Sequence, residues 1–290
     1  MMNVCYLIKK ENFGGSPQNH LLCKKNGNMA VQDETEAFFY KLNRKLRKAI
    51  DLYGLIEDGD KILIGLSGGK DSLALVELLG EKMKIFRPKF TLYAVHITMS
   101  NIPYQSDIDY LRKHAEKYGV QFIHSETSFD PSTDKRKAPC FLCSWNRRKK
   151  LFEVAKELGC NKIALGHHQD DIIQTTLMNL LFQGSFSTMP PLLKMDKFDM
   201  TIIRPLALIK EDELIRLAEI REYHKQTKNC PYETGSNRSD IKDLIRKMEE
   251  INPEIKNSIW NALTNVQTDY LPKEIKKEKK DQEKKSVDSF

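Results

Sequence analysis

From residue 33 onward the chain alternates between two hydrophobic patterns. Over 33–53, Phe39, Leu42, Leu46, Ala49 and Ile50 fall on one face at helical spacing, and Gly54 supplies a stop. Beyond it, short runs of nearly continuous apolar residues at 61–66, 90–97, 120–124 and 162–166 predict strands buried on both faces. Between them, 72–84, 106–118, 143–158 and 170–182 return to helical spacing; Ile108, Leu111, Ala115 and Tyr118 mark the second of these helices. A short strand at 201–203 follows an "MPP" loop and precedes "RPL". Helices at 211–223 and 239–248 come next, the latter with Ile241, Leu244, Ile245 and Met248 in phase. Strands regularly separated by helices predict an α/β fold, a doubly wound parallel sheet with an N-terminal helix and a C-terminal helical extension. Ligands of such sheets bind at the carboxyl ends of the strands.

The ends of the chain break the pattern. Residues 1–28 hold "GGSPQNH" and "KKNGN" with no sustained period, and are expected to form a disordered leader. Met29 is an alternative start, which mass spectrometry of the native N-terminus would decide. The α/β domain with its flanking helices is expected over 29–252. A C-terminal segment, 253–290, ends in the charged run "KEIKKEKKDQEKKSVDSF", which lacks an apolar face. A hydrophobic content of 40% with 30% charged residues fits a soluble globular protein. No apolar run reaches the roughly 18 residues of a membrane span, and no secretory signal precedes the fold. The expected location is the cytoplasm, where six cysteines serve as thiols or metal ligands rather than disulfides. The net charge of +7 divides into +3 for residues 1–28, +2 for 273–290 and only +2 for the body. A nucleic-acid site must therefore be a local patch.

Two loops at strand ends carry candidate chemistry. After the strand at 61–66 comes Ser67-Gly68-Gly69-Lys70-Asp71-Ser72. The glycines let the backbone approach a phosphate with no Cβ in the way, and the following helix start offers N–H groups to an anion. Lys70 adds charge, Asp71 can hold Mg²⁺, and Ser67 and Ser72 can donate to phosphate oxygens. This is shorter than the G-x-x-x-x-G-K-[ST] loop of many nucleotide-binding proteins. It resembles the PP-loop of the ATP pyrophosphatase superfamily, which implies cleavage of ATP between the α- and β-phosphates and transfer of AMP to a carbonyl oxygen. The second loop is "GHHQDD". Its acids alone could be helix caps. Gly166, His167, Asp170 and Asp171 match the G-H-x-x-D-D stretch that closes the ATP site in thiolating PP-loop enzymes. That match implies Mg²⁺ ligation by Asp171 together with Asp71, and polarisation of the transferring phosphate by His167. It leaves His168 and Gln169 at variable positions.

The cysteines narrow the reading. Cys140 and Cys143 form a lone C-x-x-C, open to redox, zinc or cluster roles. Cys160 reads as core, and Cys5 and Cys23 lie in the leader. The order of PP-loop, C-x-x-C with a basic helix, G-H-x-x-D-D, "IRPL" and a late cysteine resembles the tRNA 2-thiocytidine synthetase (TtcA) family from about residue 33 to 252. The resemblance implies ATP, Mg²⁺ and a [4Fe–4S] cluster on Cys140, Cys143 and Cys230. It also implies adenylation of cytidine O2, at position 32 of a tRNA anticodon loop, and replacement of that oxygen by sulfur. The chain departs from the family at Asn229-Cys230-Pro231-Tyr232, which lacks the second cysteine of P-C-x-x-C-G-S. Another thiolated base therefore stays open, as does zinc held by the three cysteines with His224. Arg147, Arg148, Lys149 and Lys150, with Lys135-Arg136-Lys137 and Trp145, are the expected tRNA contacts. Expected partners are tRNA and a sulfur donor such as a cysteine desulfurase; a homodimer is open and a membrane is not expected. The alternatives are a lysidine-synthetase-like PP-loop ligase, which would not need Cys140, and a nucleotide sensor that binds ATP without releasing pyrophosphate.

Overall fold

The computed structural model describes residues 28–85, 87–102, 106–130, 139–195, 198–224, 226 and 237–272. Cys5, Cys23, the triplet 135–137, Cys230 and the tail from 273 lie outside the described residues. The chain divides into one compact unit ending at Asp243 and a second beginning at Leu244.

In the first unit, α1 (Asn28–Tyr53) leads into β1 (Lys61–Gly65), α2 (Lys70–Met83), β2 (Thr91–Met99), α3 (Ile108–Lys117) and β3 (Gln121–Thr127). Then come α4 (Pro139–Glu157), β4 (Lys162–Ala164), α5 (Gln169–Gln183), β5 (Leu192–Lys194), β6 (Thr201–Ile203) and α6 (Glu211–Ile220). The sheet order is β3-β2-β1-β4-β6-β5. Neighbours are parallel except β5, which runs antiparallel to β6 at the edge. The expected strands and helices are all present, displaced by a few residues at their ends. β5 is an addition the apolar pattern does not show.

Pleating explains how the sheet is covered on both faces. Ile62 and Ile64 of β1 point into a core built with α1, α2, α3 and α6, whereas Leu63 points to the other face, against Leu151, Val154 and Ala155 of α4. All three β1 residues are fully buried, which is why the strand reads as an unbroken apolar run. On α1 the most buried aromatic is Phe38 rather than the expected Phe39. Phe39 packs at the edge of the same core, beneath the Arg221 guanidinium.

At the amino ends of the strands a buried ion pair ties β1 to β4. Lys162 Nζ lies 2.8 Å from Asp60 Oδ2 and donates to the Leu55 carbonyl at 3.1 Å. The other Asp60 oxygen accepts from Asn161 Nδ2 at 2.7 Å. The resulting register sets Ile62 beside Lys162 and Ile64 beside Ala164. The loops that follow these two strands consequently emerge side by side at the opposite edge, where strand order turns from β1 toward β2 on one side and β4 on the other.

α7 (Asn237–Ile251) begins in the first unit. Along it Ile241 and Ile245 are buried as expected, while Leu244 is exposed. The second unit also holds α8 (Ile255–Ala262), which the sequence reading did not anticipate, and a 3₁₀ turn at Thr268–Tyr270. Within it Lys256 pairs with Glu249 at 3.1 Å. Among the described residues no helix is long and apolar enough to cross a membrane.

Candidate active site

The loop after β1 is built to leave a helix start open. Gly68 sits at φ +81, a conformation that L side chains rarely adopt, and a Cβ there would meet Gln226 Cγ at 2.7 Å. Gly69 is the N-cap of α2, with no side chain capping the helix. Its first-turn N–H groups are therefore available to an anion. Hydrogen bonds within the loop hold its shape. Ser67 Oγ donates to Ser72 Oγ at 3.1 Å, and Ser72 Oγ donates to the Gly69 carbonyl at 2.9 Å. By contrast the start of α6 is closed, because the Glu211 N–H donates to Asp170 Oδ2 at 2.7 Å. Asp170 is thus a cap, but of α6 rather than of its own helix.

The loop after β4 packs directly on this helix start. A Cβ at Gly166 would lie 3.1 Å from the Asp71 carbonyl carbon and 3.2 Å from Ser72 N, so any side chain here would press on the backbone of the other loop. His168, the position expected to vary, is buried among the acids. Its Nε2 is 3.4 Å from Asp171 Oδ2 and 4.0 Å from Asp71 Oδ1, and its Nδ1 is 3.9 Å from Asp170 Oδ2. Asp71 Oδ1 is buried and accepts no hydrogen bond; the Lys70 ammonium stands 3.1 Å away without hydrogen-bond alignment. Buried oxygens are rarely left in this way. Magnesium takes one or two carboxylates and completes its shell with phosphate and water. The Asp71 oxygen, beside Asp171, fits that demand. Among the described residues no three His, Cys, Asp or Glu side chains form a ready-made metal cage.

His167 is a neutral imidazole. Burial, reinforced by the Arg204 and Arg238 guanidinium groups and opposed by Asp171, pushes it down to about 4. Its Nδ1 is buried without a hydrogen bond, so His167 can act on a phosphate through a ring nitrogen but not as a cation. Arg204, from the "IRPL" stretch, donates to the Pro190 carbonyl at 2.5 Å, and burial lowers its own pKa. Around the rim, Arg238 Nη2 pairs with Asp171 Oδ1 at 3.0 Å, and Lys242 Nζ pairs with Glu211 at 2.9 Å. Burial alone would raise the Glu211 pKa, but Lys242 and Lys70 outweigh it and hold the carboxyl below its ordinary range. Arg204, Glu211, Gln226, Arg238 and Lys242 were not singled out from sequence. Only Arg204 lies in a motif that could have flagged it.

Two further histidines brace the loop. His96 Nδ1 donates to the Leu66 carbonyl at 2.7 Å, and its Nε2 accepts from Ser106 Oγ at 2.7 Å. His114 Nε2 donates to the Leu73 carbonyl at 3.0 Å. Burial lowers both pKa values. The unfolded chain, with histidine near about 6.5, therefore binds more protons than the native one just below that pH. Stability is complete above it and falls as pH drops from there toward the folded values. Thermal melting is expected at lower temperature at pH 5 than at pH 7.5, with the pH slope reduced in His114→Gln. An equal slope in the variant would refute the assignment.

The cysteines separate by position. Cys140 is exposed and Cys143 half-buried, one turn apart at the start of α4. Cys143 packs beside Met99, Ile102 and Phe129, at and beyond the carboxyl ends of β2 and β3, on the same edge of the sheet as the loop after β1. Their spacing and access suit soft-metal ligands. Cys160 is buried in the α4 core, where burial raises its thiol to about 11, so it is protonated filling as expected. Of the expected RNA contacts, Arg148 and Lys149 are exposed, whereas Arg147 and Lys150 are half-buried. Lys149 and Lys150 both approach Glu153, and Lys149 lies over the exposed Trp145 ring. His224 stands edge-on to Tyr110, 3.7 Å from Asp107.

Comparison with known proteins agrees with this geometry. The PP-loop domain model matches residues 35–246. The tRNA-cytidine(32) 2-sulfurtransferase of Burkholderia multivorans is 38% identical over 226 residues, 76% of this chain and 67% of that one. The enzyme of the same name from Aliivibrio fischeri is 37% identical over 224 residues, 74% of this chain and 72% of that one. Among solved structures, the U34-tRNA thiolase NcsA from Methanococcus maripaludis, with its [4Fe–4S] cluster, superposes with a TM-score of 0.66. It is 33% identical, over 80% of this chain and 81% of that one. The chain belongs to the PP-loop family, in the 2-thiocytidine synthetase group that its motif order resembles.

Proposed function

We propose that this chain is an ATP-dependent tRNA sulfurtransferase that converts cytidine 32 of the anticodon loop to 2-thiocytidine. One observation carries the reading. The uncapped start of α2 and the buried Asp71 oxygen that accepts no hydrogen bond lie at the same edge of the sheet as the Cys140–Cys143 pair. The first two suit a polyphosphate with its metal; the last suits sulfur chemistry. The base is taken from the Burkholderia and Aliivibrio relatives.

In this reading Gly68, Gly69 and the N–H groups of α2 seat the pyrophosphate end of ATP, with Ser67, Lys70 and Ser72 around it. Asp71 and Asp171 are the carboxylates for Mg²⁺. Gly166 permits the close approach, and Asp170 acts by fixing the start of α6 against the site. Cytidine O2 attacks the α-phosphorus and pyrophosphate leaves. Neutral His167 donates a ring N–H to the phosphoryl oxygen as charge develops. A sulfur nucleophile then adds at C2, and AMP departs carrying the former O2. A [4Fe–4S] cluster would be held by Cys140, Cys143 and Cys230, and would supply the soft-metal chemistry for carrying the sulfur. Arg148 and Lys149 are the outward-facing backbone contacts, with Trp145 available to stack on an unpaired base. The sulfur comes from a donor such as a cysteine desulfurase, and the substrate places the enzyme in the cytoplasm.

The test is mass spectrometry of tRNA nucleosides from cells lacking this gene. Loss of 2-thiocytidine, restored by the intact gene, is the expected result. Loss of 2-thiouridine instead would reassign the base, and an unchanged profile would refute the function.

A further inference from the structure

α7 reaches the site with two cations on one face. Arg238 and Lys242 are one helical turn apart, and each is committed to an acid at the rim of the loop. Arg238 Nη2 meets Asp171 Oδ1 at 3.0 Å and its Nε donates to Gln174 Oε1 at 3.1 Å. Lys242 Nζ meets Glu211, whose Oε1 is also 3.5 Å from Lys70 Nζ. Both α7 side chains are 43% exposed, so they can move. Asp171 cannot move as freely: its other oxygen accepts the His168 N–H at 3.1 Å, and it is largely buried.

We propose that Arg238 is a stand-in for the metal ion on Asp171 and, once displaced, a phosphate ligand, with Lys242 as its companion. The inference rests on the PP-loop reading of the site and extends it to a helix outside both motifs. Arg238 neutralises an acid that would otherwise sit near Asp71 and Asp170 as a like charge. Nucleotide with its metal brings a cation for Asp171 and an anion for Arg238 in one event. The planar guanidinium then turns from a carboxylate to a phosphate, both of which it can grip through two N–H groups. Metal alone satisfies only half of this exchange, and must compete with Arg238 for Asp171. The arrangement makes the site prefer metal–nucleotide over free metal.

The proposal predicts opposite signs for two ligands. In Arg238→Gln, MgATP affinity measured by calorimetry is expected to fall by about tenfold or more. Affinity for free Mn²⁺, read by electron paramagnetic resonance, is expected to rise, and the rise should vanish in Asp171→Asn/Arg238→Gln. Arg238→Lys, which keeps the charge, should recover much of the MgATP affinity and remain informative if the glutamine variant is unstable. Binding of tRNA should be unchanged. Unaltered or parallel responses to the two ligands would refute the exchange. A loss confined to tRNA would assign Arg238 to the RNA backbone and equally overturn it. Failure of wild-type protein to bind MgATP would be a different result, since it removes the PP-loop reading itself.

Discussion

Gly166→Val is expected to abolish ATP-dependent pyrophosphate release while leaving most of the fold intact. The reason is contact, not conformation. A first side-chain carbon at this position would lie 3.1 Å from the Asp71 carbonyl carbon and 3.2 Å from both the Asp71 oxygen and Ser72 N. All three atoms belong to the backbone of the first turn of α2, so no rotamer change can make room. Valine adds two methyl groups to that conflict. Either α2 is pushed outward or the loop after β4 withdraws, and in both cases the phosphate cradle parts from Asp171. Misplacing reacting groups by about 1 Å costs on the order of a hundredfold in rate, and overpacking costs about 1–3 kcal/mol of stability. The measurement is pyrophosphate release with MgATP and tRNA, alongside thermal melting. Wild-type release in a folded variant would show that the two loops do not form one site.

Cys140→Ser and Cys143→Ser are expected to divide the reaction into halves. Thiolation should fall by at least about a hundredfold, since serine does not replace thiolate at a soft metal. Absorbance near about 400 nm from a cysteine-ligated cluster should be lost in anaerobically purified protein. ATP binding and tRNA-dependent pyrophosphate release should persist, because neither cysteine belongs to the loops after β1 and β4. Cys160→Ser is the contrast. It places a hydroxyl in the apolar core between α4 and the sheet and should cost about 1–3 kcal/mol in stability, with thiolation retained. Full thiolation by Cys140→Ser would refute a role for the cysteine pair in sulfur transfer.

The features legible in sequence are those whose physical cause is local. Strands buried on both faces have to be apolar without interruption, so β1 could be located within one residue. Gly68, Gly69 and Gly166 could be identified because a phosphate cradle and a close backbone contact leave glycine few substitutes. β5 was missed because a three-residue edge strand, half exposed, needs no apolar run. It is defined by its antiparallel pairing with β6. Phe39 reads as the core aromatic although Phe38 is the more buried, because adjacent aromatics on a helix both sit near the core boundary and spacing cannot say which one turns inward. Asp170 reads as part of the stretch that closes the ATP site, and the structure has it cap α6, some forty residues later. The same limit hid Arg238 and Lys242. An isolated cation on a helix carries no mark of the acid it will meet, and that acid lies far away in sequence.

The buried pair between Asp60 and Lys162 has a consequence for how the molecule is made. These residues join strands about a hundred positions apart, as do Asn161 and Asp60 at a separation of 101. The first half of the ATP site is therefore synthesised well before the second half exists. Pairing β1 with β4 closes a long loop, and the entropy of that closure must be met before its contacts are gained. At about 5–20 residues per second, a growing chain waits on the order of ten seconds between the two motifs. Through that interval the inner edge of β1 is without its neighbour, and the loop after it cannot complete a metal site. Catalytic competence thus arrives late in synthesis, only after β4, and a product truncated before β4 would carry the more recognisable motif without its function.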